Sequence, residues 1–182
     1  MPHSSQAHID TPLANIEVTR MEITKELQNL NVSKSPGPDK LHPRVLREVA
    51  DEISLPLHII FEESFKSATI PQAWKDGHVV PIFKKGKKCE PGNYRPVSLT
   101  SIICKTIEKI VRKAVMGNMS RKKLFSNCQH GFLSGRSCTS NLLATIDKWT
   151  EALDESIPID TIYLDFAKAF DTVPHQRLLT KL

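Results

Sequence analysis

The hydrophobic pattern of the first 70 residues is mainly that of helices. Residues 1–18 are mostly polar and include two prolines, so they are predicted to be disordered. Apolar residues then recur at helical spacing after Thr19, which opens a capping-box pattern and predicts the start of a first helix. Pro43 and Pro56 predict the starts of two further helices, because proline suits a first helical turn and disrupts a helix interior.

Three later stretches have the alternation or the composition of strands. Residues 78–83 and 95–99 predict two antiparallel strands if the basic loop between them is a hairpin, and Pro81 favours an edge position. Residues 159–164 are rich in β-branched and aromatic side chains and predict a central strand. Together with the helices, these strands predict an α+β fold.

Three helical patterns follow the predicted hairpin. A long helix is predicted to begin at Thr100 or Ser101, either of which can cap it with its hydroxyl group. After the glycine-bearing loop QHGFLSGRSCTS, a second helix is predicted to turn four apolar residues inward, namely Leu142, Ile146, Trp149 and Leu153. The last helical pattern begins near Pro174.

Positive charge is concentrated in the middle of the chain. The net charge is +5 over 182 residues, but residues 74–136 contain 14 Lys and Arg against three acidic residues. Such a balance predicts a surface that binds a polyanion. A solvated helix face is the simpler interpretation for four bases of the predicted long helix, Lys105, Lys109, Arg112 and Lys113. That interpretation is weaker for the four lysines of the loop, Lys84, Lys85, Lys87 and Lys88.

The sequence also indicates a compartment. No apolar run approaches the ~18 residues that a membrane span needs, and the N-terminus lacks the regions of a signal peptide. We therefore expect a nuclear or cytoplasmic protein, neither secreted nor membrane-bound. The four cysteines form no C-x-x-C pair, which favours reduced thiols. A zinc site at Cys128, His130 and Cys138 is a weaker alternative, because the spacing matches no common pattern.

Four motifs occur in the order found in one enzyme family. They are KSPGPDKLHP at residues 34–43, PIFKKG and NYRPVSLTS within 81–101, QHGFLSGRS at 129–137, and YLDFAKAFDTVPH at 163–175. Through them the chain resembles the reverse transcriptase of a non-long-terminal-repeat retrotransposon, of the jockey-like or chicken-repeat type. The resemblance implies the fingers of a right-hand polymerase, with helices and a basic hairpin, over residues 19–158. Residues 159–182 would begin its palm.

The last motif would contain the catalytic centre. By resemblance, Asp165 is the catalytic carboxylate that binds two Mg²⁺ ions, and the Phe166 carbonyl is a further metal ligand. Backbone amides around Lys168 and Ala169 would face the triphosphate of the incoming nucleotide. Phe170 would lie beneath its sugar and select deoxynucleotides. Without the motif, Asp165 would be interpreted as a helix N-cap and Phe170 as a core residue.

The resemblance also assigns binding roles. Arg95 would contact the incoming triphosphate together with Lys84 or Lys85, and the sequence does not decide between the two lysines. The template strand would contact four residues of the glycine-bearing loop, Gln129, Gly131, Phe132 and Arg136. There an aromatic ring can stack on a base and an arginine can pair with a phosphate. For Phe132 the alternative interpretation is a side chain packed in the core. The KSPGPD motif implies a rigid turn, either near nucleic acid or purely structural.

A complete enzyme of this family would also need a tetrapeptide with two adjacent aspartates, and the chain contains no Asp-Asp pair. One carboxylate cannot hold two Mg²⁺ ions in a defined geometry. Asp171 lies too far along a strand, or around a helix, to be the second ligand. We therefore expect an N-terminal fragment, inactive alone, of a polymerase that uses an RNA template, a DNA primer and deoxynucleotides. A non-catalytic nucleic-acid-binding remnant and a partly folded remnant are the alternatives.

Overall fold

Helices and one hairpin make up the described part of the chain. The computed structural model describes residues 16–166, 169 and 172–181. In chain order the elements are α1 (Arg20–Gln28), α2 (Pro43–Glu48), α3 (Ala50–Ser67), α4 (Gln72–Lys75), β1 (Gly77–Phe83), β2 (Tyr94–Thr100), α5 (Ile102–Arg121), α6 (Cys138–Asp154) and α7 (His175–Lys181). β1 and β2 form an antiparallel sheet, so the predicted mixture of helices and strands is confirmed.

The chain divides into two compact units, Met1–Phe125 and Ser126–Leu182, which we call the N-terminal and C-terminal units. The predicted division at residues 18 and 158 concerns subdomains of a polymerase and stays a prediction. Within the described ranges, every helix is too short or too polar to cross a membrane.

The N-terminal unit is built around a hydrophobic core. Most of its buried apolar side chains come from α1, α2, α3 and α5. The buried cluster consists of Val18, Ile23, Leu27, Leu46, Ala50, Leu57, Phe61, Ile102, Ile107 and Ile110. Trp74 of α4 packs against this core with its ring 5.5 Å from that of Phe61, edge to face. Residues 1–15 of the predicted disordered segment lie outside the described residues, whereas Val18, at the end of that segment, is buried.

Local capping signals position the helices of this core. Thr19 caps α1, because its hydroxyl oxygen accepts a hydrogen bond from the Glu22 N–H at 3.2 Å, which confirms the predicted start. Pro43 is the first residue of α2, also as predicted. Ser101 caps α5 by accepting from the Cys104 N–H at 3.4 Å, which decides between the two predicted caps.

The prediction that Pro56 starts a helix is wrong. Pro56 lies inside α3, which begins six residues earlier at Ala50. A proline there removes one backbone hydrogen bond and crowds the preceding turn. The helix continues through it because a buried stripe at helical spacing, Ala50, Ser54, Leu57 and Phe61, runs along both sides of the proline. Burial of this stripe in the core therefore outweighs the local cost.

The turn with the KSPGPD motif packs against the start of α5. Gly37 of this turn is buried, and it lies against the backbone of Thr100 and Ser101, where β2 ends and α5 begins. The contact joins the first motif to the second. It supports the structural interpretation of the KSPGPD turn.

The apolar face of α6 is exposed, contrary to the prediction that it turns inward. The helix itself is confirmed at Cys138–Asp154, yet none of its residues is buried. Leu142, Ile146 and Leu153 are between 52% and 67% exposed. Trp149, the fourth residue of the predicted stripe, is half-buried. No described residue of the C-terminal unit is buried, so within that unit the described residues do not cover the apolar stripe.

The predicted strand at residues 159–164 is not formed. The segment makes no ladder with any described residue, and the sheet contains only β1 and β2. Tyr163 and Leu164 are 83% and 85% exposed. The composition suits a strand, but a strand also needs a neighbour to pair its N–H and C=O groups. None of the described residues provides that neighbour.

Candidate nucleic-acid interface

The hairpin presents Arg95 on one of its two faces. In the antiparallel register Arg95 lies opposite Ile82, and Val80 lies opposite Val97. Side chains two residues apart along a strand share a face, so these four residues lie together. Arg95 is exposed, and the three apolar residues are between 37% and 50% exposed. The face therefore combines a guanidinium group with an apolar strip, and we call it the Arg95 face.

Lys84 extends the Arg95 face one step beyond β1. Its N–H donates to the Asn93 carbonyl at 2.8 Å, so the ladder of the hairpin continues to this pair. Because Lys84 is two residues beyond Ile82, strand alternation places it on the same side of the hairpin as Arg95. Lys85 follows at the bend of the loop, beyond the paired residues. The register thus distinguishes two lysines that the sequence could not separate.

The opposite face of the hairpin carries its aromatic residues. Phe83 lies opposite Tyr94, and their rings pack edge to face with centroids 5.5 Å apart. The Lys88 ammonium lies 5.9 Å from the centroid of the Phe83 ring, within the range of a cation–π interaction. The Tyr94 hydroxyl donates to the Lys88 carbonyl at 2.8 Å. These contacts hold the base of the basic loop.

Asn93 organises the basic loop, a role that sequence analysis missed. Its side-chain nitrogen donates to the Lys87 carbonyl and to Glu90 Oε2, both at 2.9 Å. Gly86 has φ +89°, and a Cβ atom there would lie 2.5 Å from Asn93 Nδ2. An asparagine beside a Pro-Gly pair is a signal for such a turn, because its side chain readily bonds nearby backbone. The loop lysines are thus attached to an ordered backbone.

Two of the four bases on α5 belong to helix packing. Lys109 forms an ion pair with Glu26 of α1, and Lys113 lies 3.2 Å from Glu22 of the same helix. The Glu26 side chain is only 16% exposed. These two positive charges stabilise acidic groups within the N-terminal unit. Fewer bases are therefore available for a polyanion-binding surface than the charge count of residues 74–136 implied.

The glycine-bearing loop of the C-terminal unit exposes most of its predicted template residues. Gln129 and Gly131 are exposed, and Phe132 is 80% exposed, so the alternative of a core residue is wrong for Phe132. Arg136 is half-buried, and its Nη1 donates to the carbonyls of Asn127 and Gln129, the latter at 2.6 Å. Arg136 is therefore part of the loop's own hydrogen bonding.

The predicted metal ligands lie in an exposed segment rather than at the end of a buried strand. Asp165 and Phe166 are both exposed, Phe166 at 81%. Ala169 lies in a turn and is exposed. Lys168 and Phe170 lie outside the described residues, as does Asp171, so their roles stay predictions.

The described residues contain no group of three His, Cys, Asp or Glu side chains that could hold a metal ion. Asp165 supplies an oxygen of the kind that Mg²⁺ prefers, but within the described part it belongs to no such group of three. These residues therefore do not fit a two-ion site by themselves. Of the three residues in the weaker zinc alternative, His130 has a partner within the protein, because its Nδ1 atom lies 2.9 Å from the Ser140 hydroxyl.

The sequence matches a family of known proteins. The family model described as reverse transcriptase (RNA-dependent DNA polymerase) matches residues 82–182, more than half of the chain. This match includes Lys84, Arg95, the glycine-bearing loop and Asp165.

Curated relatives come from mobile elements. The chain is 28% identical, over 162 residues, to the probable RNA-directed DNA polymerase from transposon BS of Drosophila melanogaster. The aligned residues make up 88% of this chain and 18% of that protein. The chain is also 28% identical, over 165 residues, to the RNA-directed DNA polymerase from mobile element jockey of Drosophila funebris, with 90% and 18% covered. A 149 kDa protein of transposon TX1 from Xenopus laevis is 30% identical over 169 residues, with 91% and 12% covered. The chain thus spans less than a fifth of the length of these relatives.

Proposed function

Because the chain belongs to the reverse transcriptase (RNA-dependent DNA polymerase) family, we propose that it binds nucleotide and template for RNA-directed DNA synthesis by a non-long-terminal-repeat retrotransposon. In this proposal residues 19–158, which include the basic hairpin, are the fingers of the polymerase, and residues 159–182 begin its palm. The observation that carries the proposal is the placement of Arg95 and Lys84 on one face of the hairpin.

The Arg95 face binds the triphosphate of the incoming deoxynucleotide. A planar guanidinium donates two parallel hydrogen bonds to phosphate oxygens, and the Lys84 ammonium adds a point charge beside it. The apolar strip of Val80, Ile82 and Val97 lies next to the guanidinium and offers a surface for the less polar part of a nucleotide. No acidic residue belongs to this face among the paired strand residues, so a polyphosphate meets no repulsion from them.

The exposed loop of the C-terminal unit binds the RNA template. Phe132 supplies a ring for stacking on a base, and Gly131 has open space where a Cβ atom would otherwise project. Gln129 is exposed beside them and offers an amide for hydrogen bonding. Separately, the N-terminal unit exposes Lys85, Lys87 and Lys88 of the hairpin loop, which offer positive charge to a nucleic-acid backbone.

Asp165 would supply one carboxylate to the Mg²⁺ ions of the complete polymerase, with the Phe166 carbonyl as a neighbouring ligand. Such ions would supply activation of a hydroxyl nucleophile and stabilisation of the leaving pyrophosphate. Lys168 and Ala169 would face the triphosphate through their amides, and Phe170 would lie under the sugar. The DNA primer would reach this segment with its 3′ end.

A non-catalytic nucleic-acid-binding module is the second candidate. The exposure of the hairpin lysines favours it, because backbone binding needs only accessible positive charge. It predicts that RNA binding weakens in Lys84→Ala and Arg95→Ala and is unaffected in Asp165→Ala. It further predicts no selective binding of a deoxynucleoside triphosphate.

The experiment measures two affinities of the full chain by titration, one for dGTP and one for a labelled single-stranded RNA 12-mer. Arg95→Ala is expected to weaken dGTP binding about tenfold or more, because a charge-assisted bidentate pair is lost. Arg44→Ala, which removes an exposed arginine of α2, is the matched control and should leave dGTP affinity unchanged. Equal losses in both variants would overturn the triphosphate assignment. RNA affinity that does not fall with salt would overturn nucleic-acid binding altogether.

A further inference from the structure

Arg136 is bonded into the loop that carries Phe132. Its Nη1 atom donates to two backbone carbonyls, those of Asn127 and Gln129. One guanidinium nitrogen has two hydrogens, so both are engaged within the loop. The two acceptors lie seven and nine residues before Arg136, so this side chain spans the loop and joins its ends.

The backbone between these ends has an unusual conformation. Phe132 has φ +61°, in the left-handed region that a bulky residue rarely adopts, and Gly135 has φ +76°. The conformation places the Phe132 side chain at 80% exposure. A left-handed phenylalanine costs free energy and persists only where surrounding contacts impose it. Such outliers are concentrated at ligand sites.

The rest of the loop is fixed by short contacts. Gln129 Nε2 donates to the Gly131 carbonyl at 3.3 Å, and His130 Nδ1 lies 2.9 Å from the Ser140 hydroxyl. Ser140 in turn forms a reciprocal capping box with Ser137 at the start of α6. The loop is thus attached to a helix at one end, and the Arg136 contacts close it at the other.

We propose that Arg136 is a positioning residue, which closes the 127–136 loop so that Phe132 is held outward to stack on a base of single-stranded RNA. This inference rests on the proposed function and changes the expected role of Arg136. The sequence predicted a direct contact between Arg136 and a template phosphate. In the structure its Nη1 hydrogens are bonded within the loop, and its action on RNA goes through Phe132.

Salt dependence separates the two roles. Each phosphate neutralised on a single strand contributes about 0.7 to the slope of log affinity against log salt concentration. Arg136→Gln is expected to weaken binding of an RNA 12-mer about fivefold at every salt concentration, with the slope unchanged. Arg136→Lys keeps the charge but loses the planar guanidinium nitrogen that donates to both carbonyls, so it should weaken binding to a similar extent. A slope reduced by ~0.7 in Arg136→Gln, or wild-type affinity in Arg136→Lys, would overturn the inference.

A double-mutant cycle tests the link to Phe132. Phe132→Ala alone should weaken binding about fivefold or more through lost stacking, and it should cause no further loss in an Arg136→Gln background. Additive losses would contradict the positioning role.

An abasic 12-mer, which keeps the phosphates but lacks bases, should bind wild type and both single variants equally. Lys85→Gln is the reference for a direct phosphate contact and should lower the salt slope. Failure of the wild-type chain to bind RNA, or salt-insensitive binding, would overturn the proposed function instead.

Discussion

Gly37 lies directly against Thr100. A Cβ atom on Gly37 would stand 2.6 Å from the Thr100 carbonyl oxygen and 2.8 Å from the Ser101 nitrogen, both of them backbone atoms. Side chains do not approach backbone this closely, so only glycine fits without displacement of the chain. The KSPGPD turn therefore packs directly against the backbone at the junction of β2 and α5.

Gly37→Ala should destabilise the chain by about 1–3 kcal/mol, because the added methyl group forces backbone apart in a packed site. The free energy of unfolding in urea measures the effect. Gly92→Ala is a matched control, since a Cβ atom there meets nothing within 4 Å. Gly117→Ala, inside α5 and also open, should stabilise by about 0.5–1 kcal/mol. A Gly37→Ala protein as stable as Gly92→Ala would contradict the close approach.

Removing Lys109 should cost more stability than removing Lys113. Lys109→Met leaves the Glu26 carboxylate, 16% exposed, without its ion-pair partner, whereas the partner of Lys113 is 33% exposed. We expect a loss of about 1–2 kcal/mol for Lys109→Met and at most about 0.5 kcal/mol for Lys113→Met. Both losses are modest because both lysine side chains are well solvated. Urea unfolding of both variants at low salt is the measurement. Equal losses would show that burial of Glu26 does not matter.

Cys104 should be the slow thiol of the chain. Burial, with the Glu108 carboxylate beside it, raises the pKa of Cys104 to about 11. About one molecule in a thousand then carries the thiolate at pH 8, and only the thiolate reacts. Cys89, Cys128 and Cys138 are exposed. A chromogenic disulfide reagent should therefore label three thiols quickly, and the fourth should react faster as pH rises toward 11 or after unfolding. Four fast thiols, or a slow phase that survives in Cys104→Ala, would contradict this.

Local signals explain why much of the N-terminal unit could be predicted. The caps at Thr19 and Ser101 and the first-turn Pro43 act within one helical turn, so the sequence predicts them to within a residue. Pro56 was misinterpreted because its cost is local while the burial of Leu57 and Phe61 is tertiary. The prediction of a strand at 159–164 was wrong because its composition is suitable locally, whereas strand pairing needs a second segment.

The candidate site divides in the same way. Motifs assigned binding roles to Arg95 and Phe132 because phosphate and base binding demand particular side chains, and these roles stay predictions. Motifs could not predict which side of the hairpin Lys84 occupies, since that depends on register. The contacts of Arg136 were also beyond them, because its two acceptors are backbone carbonyls that carry no sequence signal.

The chain alone should not extend a primer. Its sequence contains no Asp-Asp pair, and Asp165 is then a single carboxylate for chemistry that needs two metal ions. The measurement is incorporation of labelled deoxynucleotides on an RNA template with an annealed DNA primer and Mg²⁺, with an active reverse transcriptase as positive control. Incorporation that disappears in Asp165→Asn would show that the chain holds a complete catalytic site.

Lys84 and Lys85 are neighbours with the same charge, and the register predicts different roles for them. Lys84→Ala should weaken dGTP binding about five- to tenfold, because Lys84 shares the Arg95 face, whereas Lys85→Ala should change it less than twofold. The net charge of the two variants is identical, so a difference between them cannot come from long-range attraction. The Lys84 and Arg95 effects should also be coupled, so that the double variant loses less than the product of the single losses. If Lys85→Ala weakens dGTP binding as much as Lys84→Ala, the triphosphate does not bind on the Arg95 face.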